Sequence, residues 1–434
     1  MQKNGEITAG KIIRFILYSF IGIFMFFIPV EIGGKSTIPI DHIVTYVKNI
    51  PYFSPIYVGI IVCLGGVLPF IKGEWKKSIT TKIFSFFKLF GIVFVLMAIF
   101  NKGPEFLMNE DVIPFIYNSI VKSVTMIVPI GSIFLAFLVN YGLMEFVGVF
   151  MQPVMKPIWK TPGRSAIDAV ASFVGSYSIA LLITNRVYKE GKYTAKEAAI
   201  IATGFSTVSA TFMVIVANTL GIMEHWLLYF WLTLVITFVV TAITARIYPL
   251  NKKPNNYYQG VEGIKEKECK GNRFKLAMEE GMKAFDQAPT VFESVKDNLI
   301  DGVKLALSIG PLLMSIGVFG ILLAEYTPIF DVIGYIFYPF TYITRVPEPM
   351  LAAKASALSI AEMFLPALLV TEADIITKFL IAVVSVSEIL FFSASIPCMM
   401  GTEIPLTMKD YILIWLERVA ISILLTAPIL HLIF

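Results

Sequence analysis

Ala180-Leu181-Leu182-Ile183-Thr184 and Ala367-Leu368-Leu369-Val370-Thr371 are one motif written twice in a single chain of 434 residues. The match extends outward at a nearly constant offset of about 186 residues. Met144-Glu145-Phe146-Val147-Gly148 lies over Phe330-Asp331-Val332-Ile333-Gly334, and Pro153 over Pro339. Pro129 and Tyr141 correspond to Pro311 and Tyr326 after small gaps. Two apolar segments can look alike by sharing Leu, Ile and Val, but ordered agreement of prolines, glycines and an acidic residue marks an internal repeat, the feature that decides a fold before any other assignment.

The repeat sits in a chain suited to lipid. Hydrophobic residues make up 57% and charged residues 15%, with a mean hydropathy of +0.77, whereas a soluble domain carries roughly 25% charged residues. At about 20 apolar residues per spanning helix, the sequence predicts an all-α polytopic membrane protein: about nine transmembrane helices plus two re-entrant hairpins in an inverted repeat. The apolar run 12–30 reads as the first span, since no small-residue cleavage site follows it. Lys3, Lys11 and Arg14 before it place the N-terminus in the cytoplasm by the positive-inside rule. Spans near 53–71, 84–100 and 113–140 then alternate consistently, with Lys72, Lys76, Lys77 and Lys82 inside and Glu105, Glu110 and Asp111 outside.

Residues 166–184 are apolar but interrupted by Gly175-Ser176-Tyr177-Ser178, with Arg164 before them and Arg186 and Lys189 after. Basic charge at both ends predicts a hairpin that enters and leaves from the cytoplasm. Its counterpart, 350–370, is flanked by Glu348, Glu372 and Asp374 and by the same logic opens outward. Spans near 195–219, 226–245, 300–323, 376–400 and 411–434 complete the chain. The expected organisation is a three-span scaffold (1–112), a first repeat (113–247) with its hairpin at 166–184, a cytoplasmic linker (248–296) and a second repeat (297–434) with its hairpin at 350–370. An odd number of spans separates the repeats, so the second lies upside down. Unwound backbone is tolerated at membrane depth only where it lines a cavity, and paired inverted breaks point to alternating-access transport.

Candidate site residues cluster at these breaks. The first tip offers backbone groups of Val174 and Gly175 to an ion and the hydroxyls of Ser176, Tyr177 and Ser178 to a solute; the plainer reading is a kink, since Gly and Ser are common packing residues in membrane helices. Ser206, Ser209 and Thr211 in the next span are candidate ion ligands, although such hydroxyls also bond back to their own helix. Glu362, in Ser359-Ile360-Ala361-Glu362-Met363-Phe364, stands out most. A carboxylate near the bilayer centre costs about 2.5–3.5 kcal/mol even on a lenient insertion scale, so it must face a cavity, a partner or a proton. Ser359 accompanies it, and Ser387, Glu388, Ser393 and Ser395 form the matching polar set in the span that follows. Glu388, Asp168 and Lys354 are candidates for proton transfer or gating. Asp168 and Lys354 occupy equivalent repeat positions, either as an ion pair or, more plainly, apart at opposite faces. Lys88 and Lys122 are expected to snorkel.

Other chemistries find little support. Cys63, Cys269 and Cys398 and the three histidines lack metal or redox spacing. The net charge of +4 is spread over short loops, so no nucleic-acid surface is indicated. No nucleophile, base and orienter set suggests an enzyme.

The stretch Gly175-Ser-Tyr-Ser-Ile-Ala-Leu-Leu-Ile-Thr184, a basic linker, and then Gly204-Phe-Ser-Thr-Val-Ser-Ala-Thr211 resembles the hairpin and following helix of concentrative nucleoside transporters and of the wider nucleoside-recognition Gate superfamily. Ala361-Glu362-Met363-Phe364 looks like that family's Asn-Glu-Phe hairpin. Over the whole chain, including Gly34-Lys-Ser-Thr-Ile-Pro-Ile-Asp-His42, the sequence is similar to YjiH-type Gate proteins. The resemblance, which covers most of 115–434, implies two hairpins facing each other around a solute, sodium coupling near the first tip and a homotrimer. There are departures. Those transporters read Gly-Gln-Thr-Glu at the first tip, where this chain has Ser176, Tyr177 and Ser178, and they place Asn before Phe-Ser where this chain has Phe391. Glu362 matches the acid that contacts ribose in that family. The expectation is a secondary active transporter of a small polar solute, a nucleoside or related metabolite, in the inner cell membrane, with sodium or protons as coupling ion and no other cofactor. The competing reading is a non-transporting Gate protein that serves as an assembly or signalling partner. It requires a folded interaction surface in the linker, where a transporter needs only a passive connection with one amphipathic helix.

Overall fold

In lipid every backbone polar group must be satisfied within the protein, so apolar runs long enough to span fold as helices. The structure, a computed structural model, describes residues 9–434 except 77–78, 175–176, 209 and 268–270; Lys3, Lys77 and Cys269 lie outside that set. Seven helical stretches are long and apolar enough to cross a membrane, among them Ala9–Phe27, Phe53–Ile71 and Met408–Ile433. One of the seven lies within the 36-residue helix Val291–Tyr326, whose start is fixed by a capping box between Thr290 and Glu293.

The two further spans expected from sequence are those that follow the hairpins, and neither is continuous. Ala195–Phe205 gives way to non-helical residues 206–208 before Ala210–Thr219, and Ile375–Ser387 gives way to residues 388–394 before Ser395–Met400. Ile389 in the second break adopts φ +65°, a conformation that strains a β-branched residue and marks an imposed geometry.

Each half repeats one sequence of elements. Leu143–Trp159 corresponds to Ile329–Ile343, and the hairpin Ala166–Val174 with Tyr177–Lys189 corresponds to Pro349–Leu358 with Leu365–Leu369. A split span and a closing helix follow in both, the closing helices being Trp226–Thr244 and Met408–Ile433.

The second split span runs from the base of one hairpin to the base of the other. At its start Glu348 accepts hydrogen bonds from the Asp374 N–H (3.1 Å) and the Thr377 hydroxyl (2.5 Å), closing the base of the second hairpin. Beyond its far end the Glu403 N–H donates to Asn185 Oδ1 (2.9 Å), near the base of the first. The two bases therefore lie at opposite ends of that split span. Packing is reciprocal as well: Tyr177–Lys189 rests on Ser395–Met400, and Leu365–Leu369 rests on Ala210–Thr219.

The N-terminal scaffold is bolted to the second half by glycine. A Cβ on Gly65 would lie 1.9 Å from the Leu307 carbonyl oxygen and one on Gly91 2.2 Å from that of Pro311, so Phe53–Ile71 and Ile79–Phe100 touch Val291–Tyr326 backbone to backbone. The Gly34–His42 segment folds as a two-stranded ribbon, Val30–Ile32 against Lys35–Thr37, running into the helix Pro39–Lys48. Lys122, expected to snorkel, folds over the Tyr117 ring (4.5 Å) and donates to Asn118 Oδ1 (2.7 Å). Lys88 lines a polar cavity between helices.

Candidate functional site

The unwound segments of both halves converge. The Ser172 hydroxyl donates to the Thr207 carbonyl (2.6 Å), tying the first hairpin to the first break. In the second half the Phe392 and Ser393 N–H groups donate to the Ile360 and Ala361 carbonyls (2.6 and 2.9 Å), fastening the break to the tip. The Thr207 hydroxyl reaches the Val386 carbonyl (3.4 Å) across the two halves, and the Tyr177 ring stands edge-on to Phe391 with centroids 5.8 Å apart. Backbone released from helical bonding in this way presents N–H and C=O groups that can replace the hydration of an ion or polar solute.

Several expected residues stand here. Ser206 and Ser393, equivalent in the repeat, are buried, and neither hydroxyl has a hydrogen-bond partner among the described residues. Buried polar atoms are nearly always satisfied, so each exception calls for an explanation. Ser178 is buried just beyond the first tip. Gly175, Ser176 and Ser209 lie outside the described residues, and Val174 and Thr211 are described by their backbone alone.

Glu362 is buried and caps its own hairpin: one carboxylate oxygen accepts from the N–H groups of Phe364 (2.6 Å) and Leu365 (3.0 Å) at the start of Leu365–Leu369. A carboxylate oriented by tip backbone in this way is held in one direction. Ser359 does not accompany it as expected. Its hydroxyl donates to Glu388, and the same Glu388 oxygen accepts from the Trp415 indole N–H (2.9 Å), while Oε1 of Glu388 is buried without a partner among the described residues.

Behind this group lies Arg418, fully buried. Its Nε and Nη2 donate to the Ser387 carbonyl (2.8 and 2.6 Å) and its Nη1 to the Thr241 hydroxyl (3.1 Å). Sequence reasoning missed Arg418 and Trp415, although a guanidinium inside the last apolar span was a sufficient signal.

The residues 121–223, which hold the first hairpin and first break, match a family profile described as Gate, nucleoside recognition. An uncharacterised protein of Alkalihalophilus pseudofirmus is 30% identical over 456 aligned residues, covering 100% of this chain and 97% of that one. The chain belongs to that protein's family and carries the nucleoside-recognition Gate domain. A double variant of the concentrative nucleoside transporter CNTnw in an outward-facing state shares the fold, with a TM-score of 0.50 and 15% identity over 96% of this chain and 99% of that one. The chain is thus a multi-pass membrane protein with the architecture of that transporter.

In this Gate protein Asp168 and Lys354 are not partners, as the plainer of the two readings has it. Asp168, fully buried, accepts from the Thr184 hydroxyl on one oxygen and the Tyr193 hydroxyl on the other, both at 2.6 Å, and so fastens the limbs of the first hairpin to each other and to the chain beyond. Lys354 pairs with Asp331 (2.9 Å) beside the second hairpin.

The linker is no passive connection. Ala195 and Lys196 N–H groups donate to the Asn256 and Pro254 carbonyls (2.8 and 3.0 Å), and the Ile264 N–H donates to the Gly191 carbonyl (2.8 Å), laying the linker across the first half. Glu266 then enters the base of the first hairpin. Its carboxylate accepts from the Gly163 and Arg164 N–H groups (2.9 Å each), from Arg164 Nε (3.2 Å) and from the Gln152 amide (3.3 Å). An anion at the first turn of a helix satisfies orphan N–H groups and complements the helix dipole. The helix Arg273–Gln287 follows and packs on Leu143–Trp159.

Proposed function

We propose that this Gate protein is a secondary active transporter of a small polar solute, a nucleoside or related metabolite, coupled to sodium or protons. The observation that carries this reading is the placement of the hairpins: their bases lie at opposite ends of one split span, while their second limbs each rest on the far segment of the other half's break. A gate at either end of a shared centre is the geometry alternating access requires, and this placement of the hairpins supports it.

In this reading Ser176, Tyr177 and Ser178 face the solute from the first tip, and Glu362 and Ser393 from the second half. Ser206, Ser209 and Thr211, with the backbone of Val174 and Gly175, hold the coupling cation. Glu388, with one buried oxygen unpartnered among the described residues, is the group placed to take a proton. Ser359 orients Glu388, and Asp168 and Lys354 hold the hairpin limbs. The first hairpin opens to the cytoplasm, the N-terminus lies on that side of the inner membrane, and three copies assemble.

The test is uptake of labelled nucleosides into proteoliposomes under imposed sodium or proton gradients. Gradient-dependent uptake that falls at least about tenfold in Glu362→Gln supports the reading, because such a loss removes an interaction made in the transport step. Uptake indifferent both to Glu362→Gln and to either gradient sinks it. Thermal shifts of purified protein with nucleosides, nucleobases, amino acids and organic acids, with and without sodium, name the solute through stabilisation by mass action.

A further inference from the structure

A cavity of about 270 Å³ opens beside the base of the first hairpin, between the scaffold helices Phe53–Ile71 and Ile79–Phe100 and the long helix Val291–Tyr326. Four lysines line it, Lys72, Lys88, Lys189 and Lys304, against two carboxylates, Asp301 and Glu403. Asp301 is already committed to cations: Arg186, Lys189 and Lys304 lie 2.8, 3.2 and 3.6 Å from its oxygens. Lys72 has no ion pair among the described residues. The cavity therefore holds more positive charge than its own acids neutralise, and none of the residues assigned to the solute lines it.

We propose that this cavity binds a phosphate-bearing anion, and that the anion is the headgroup of an anionic lipid. Lysines converging on a pocket between spanning helices have the chemistry that recognises phosphate headgroups. The lipid source is favoured by the rim. Leu64, Val67 and Ile71 are exposed at 53%, 41% and 75% on the same helix that contributes Gly65 and Leu68 to the cavity and ends just before Lys72, so acyl chains would lie directly outside a seated headgroup. Just past that helix, Lys76 and Lys82 sit over the Trp75 ring (5.3 and 5.9 Å), an aromatic and basic pairing typical of the membrane–water boundary. A lipid held there would bridge the scaffold, the first hairpin and the second half.

The experiment uses the full chain, as wild type and as Lys72→Gln with Lys304→Gln, in nanodiscs of phosphatidylcholine alone or with phosphatidylglycerol, and in detergent with inorganic phosphate or chloride at equal ionic strength. Thermal unfolding and native mass spectrometry are read. Phosphatidylglycerol should stabilise the wild type and stay bound to it, with affinity about tenfold weaker in the double variant. A response to inorganic phosphate alone, again lost in the double variant, supports the site and assigns it to a soluble anion. No response to either probe, or an equal response in both proteins, overturns it. If the double variant does not fold, the single Lys72→Gln against Lys72→Arg decides: the site requires loss in the first and retention in the second.

Discussion

The two hairpins share a topology and differ in where they keep their buried acid. In the first, Asp168 lies in the entering limb, bonded to Thr184 and Tyr193, and Tyr177 and Ser178 beyond the tip bring hydroxyls. In the second, Glu362 lies at the tip itself, while the base is closed by the half-buried Glu348 on Thr377 and Asp374. Fastening and presentation are thus split differently in two copies of one design. Where the acid is a fastener the tip is neutral, and where the acid is at the tip the fastening moves to the rim.

Removing the first fastener should break this comparison most severely. Asp168→Ala leaves the Tyr193 hydroxyl buried without its acceptor and should cost about 2–4 kcal/mol, read by unfolding in detergent, with Asp168→Asn losing less because its amide oxygen still accepts one bond. An Asp168→Ala protein as stable as wild type would mean that the limbs are held by packing alone. Glu266→Ala comes next. It withdraws an acceptor from Gly163, Arg164 and Gln152 but leaves Glu145 within 3.7 Å of the Arg164 guanidinium, so the loss should be about 1–3 kcal/mol. Amide exchange should quicken over residues 163–174 and stay unchanged over 349–369; equal acceleration in both hairpins contradicts a latch specific to the first. The smallest expected effect is Glu362→Ala, which removes a cap worth about 0.5–2 kcal/mol. Glu362→Gln should retain most of that stability and still lose uptake, separating the cap from the transport role; parallel loss of both would reduce Glu362 to a structural residue.

Much of this arrangement was legible in the sequence. Composition gave the membrane class, and the doubled Ala-Leu-Leu motif falls in helices that recur in the same order in both halves; Gly175 and Ser176, at the expected first tip, lie outside the described residues. The breaks at 206–208 and 388–394 were not legible as breaks, because hydroxyl residues within an apolar span, such as Ser206, Thr207 and Ser393, also suit an intact helix in which they bond to its own carbonyls. Ser359 was grouped with Glu362 by proximity in the chain, whereas the hairpin turns it toward Glu388 and Trp415. Glu266 carried no local signal, since its role exists only through Gln152, Gly163 and Arg164, the nearest of them 102 residues away.

That separation bears on the order in which the protein is made. Arg164 and the hairpin above it leave the ribosome well before Glu266 does, and the guanidinium is almost fully buried in the finished protein. Until the linker follows, the base of the hairpin lacks the carboxylate that satisfies its first backbone N–H groups. Biogenesis of the first hairpin is therefore completed from downstream, and a chain halted between the two residues would carry a hairpin without its latch.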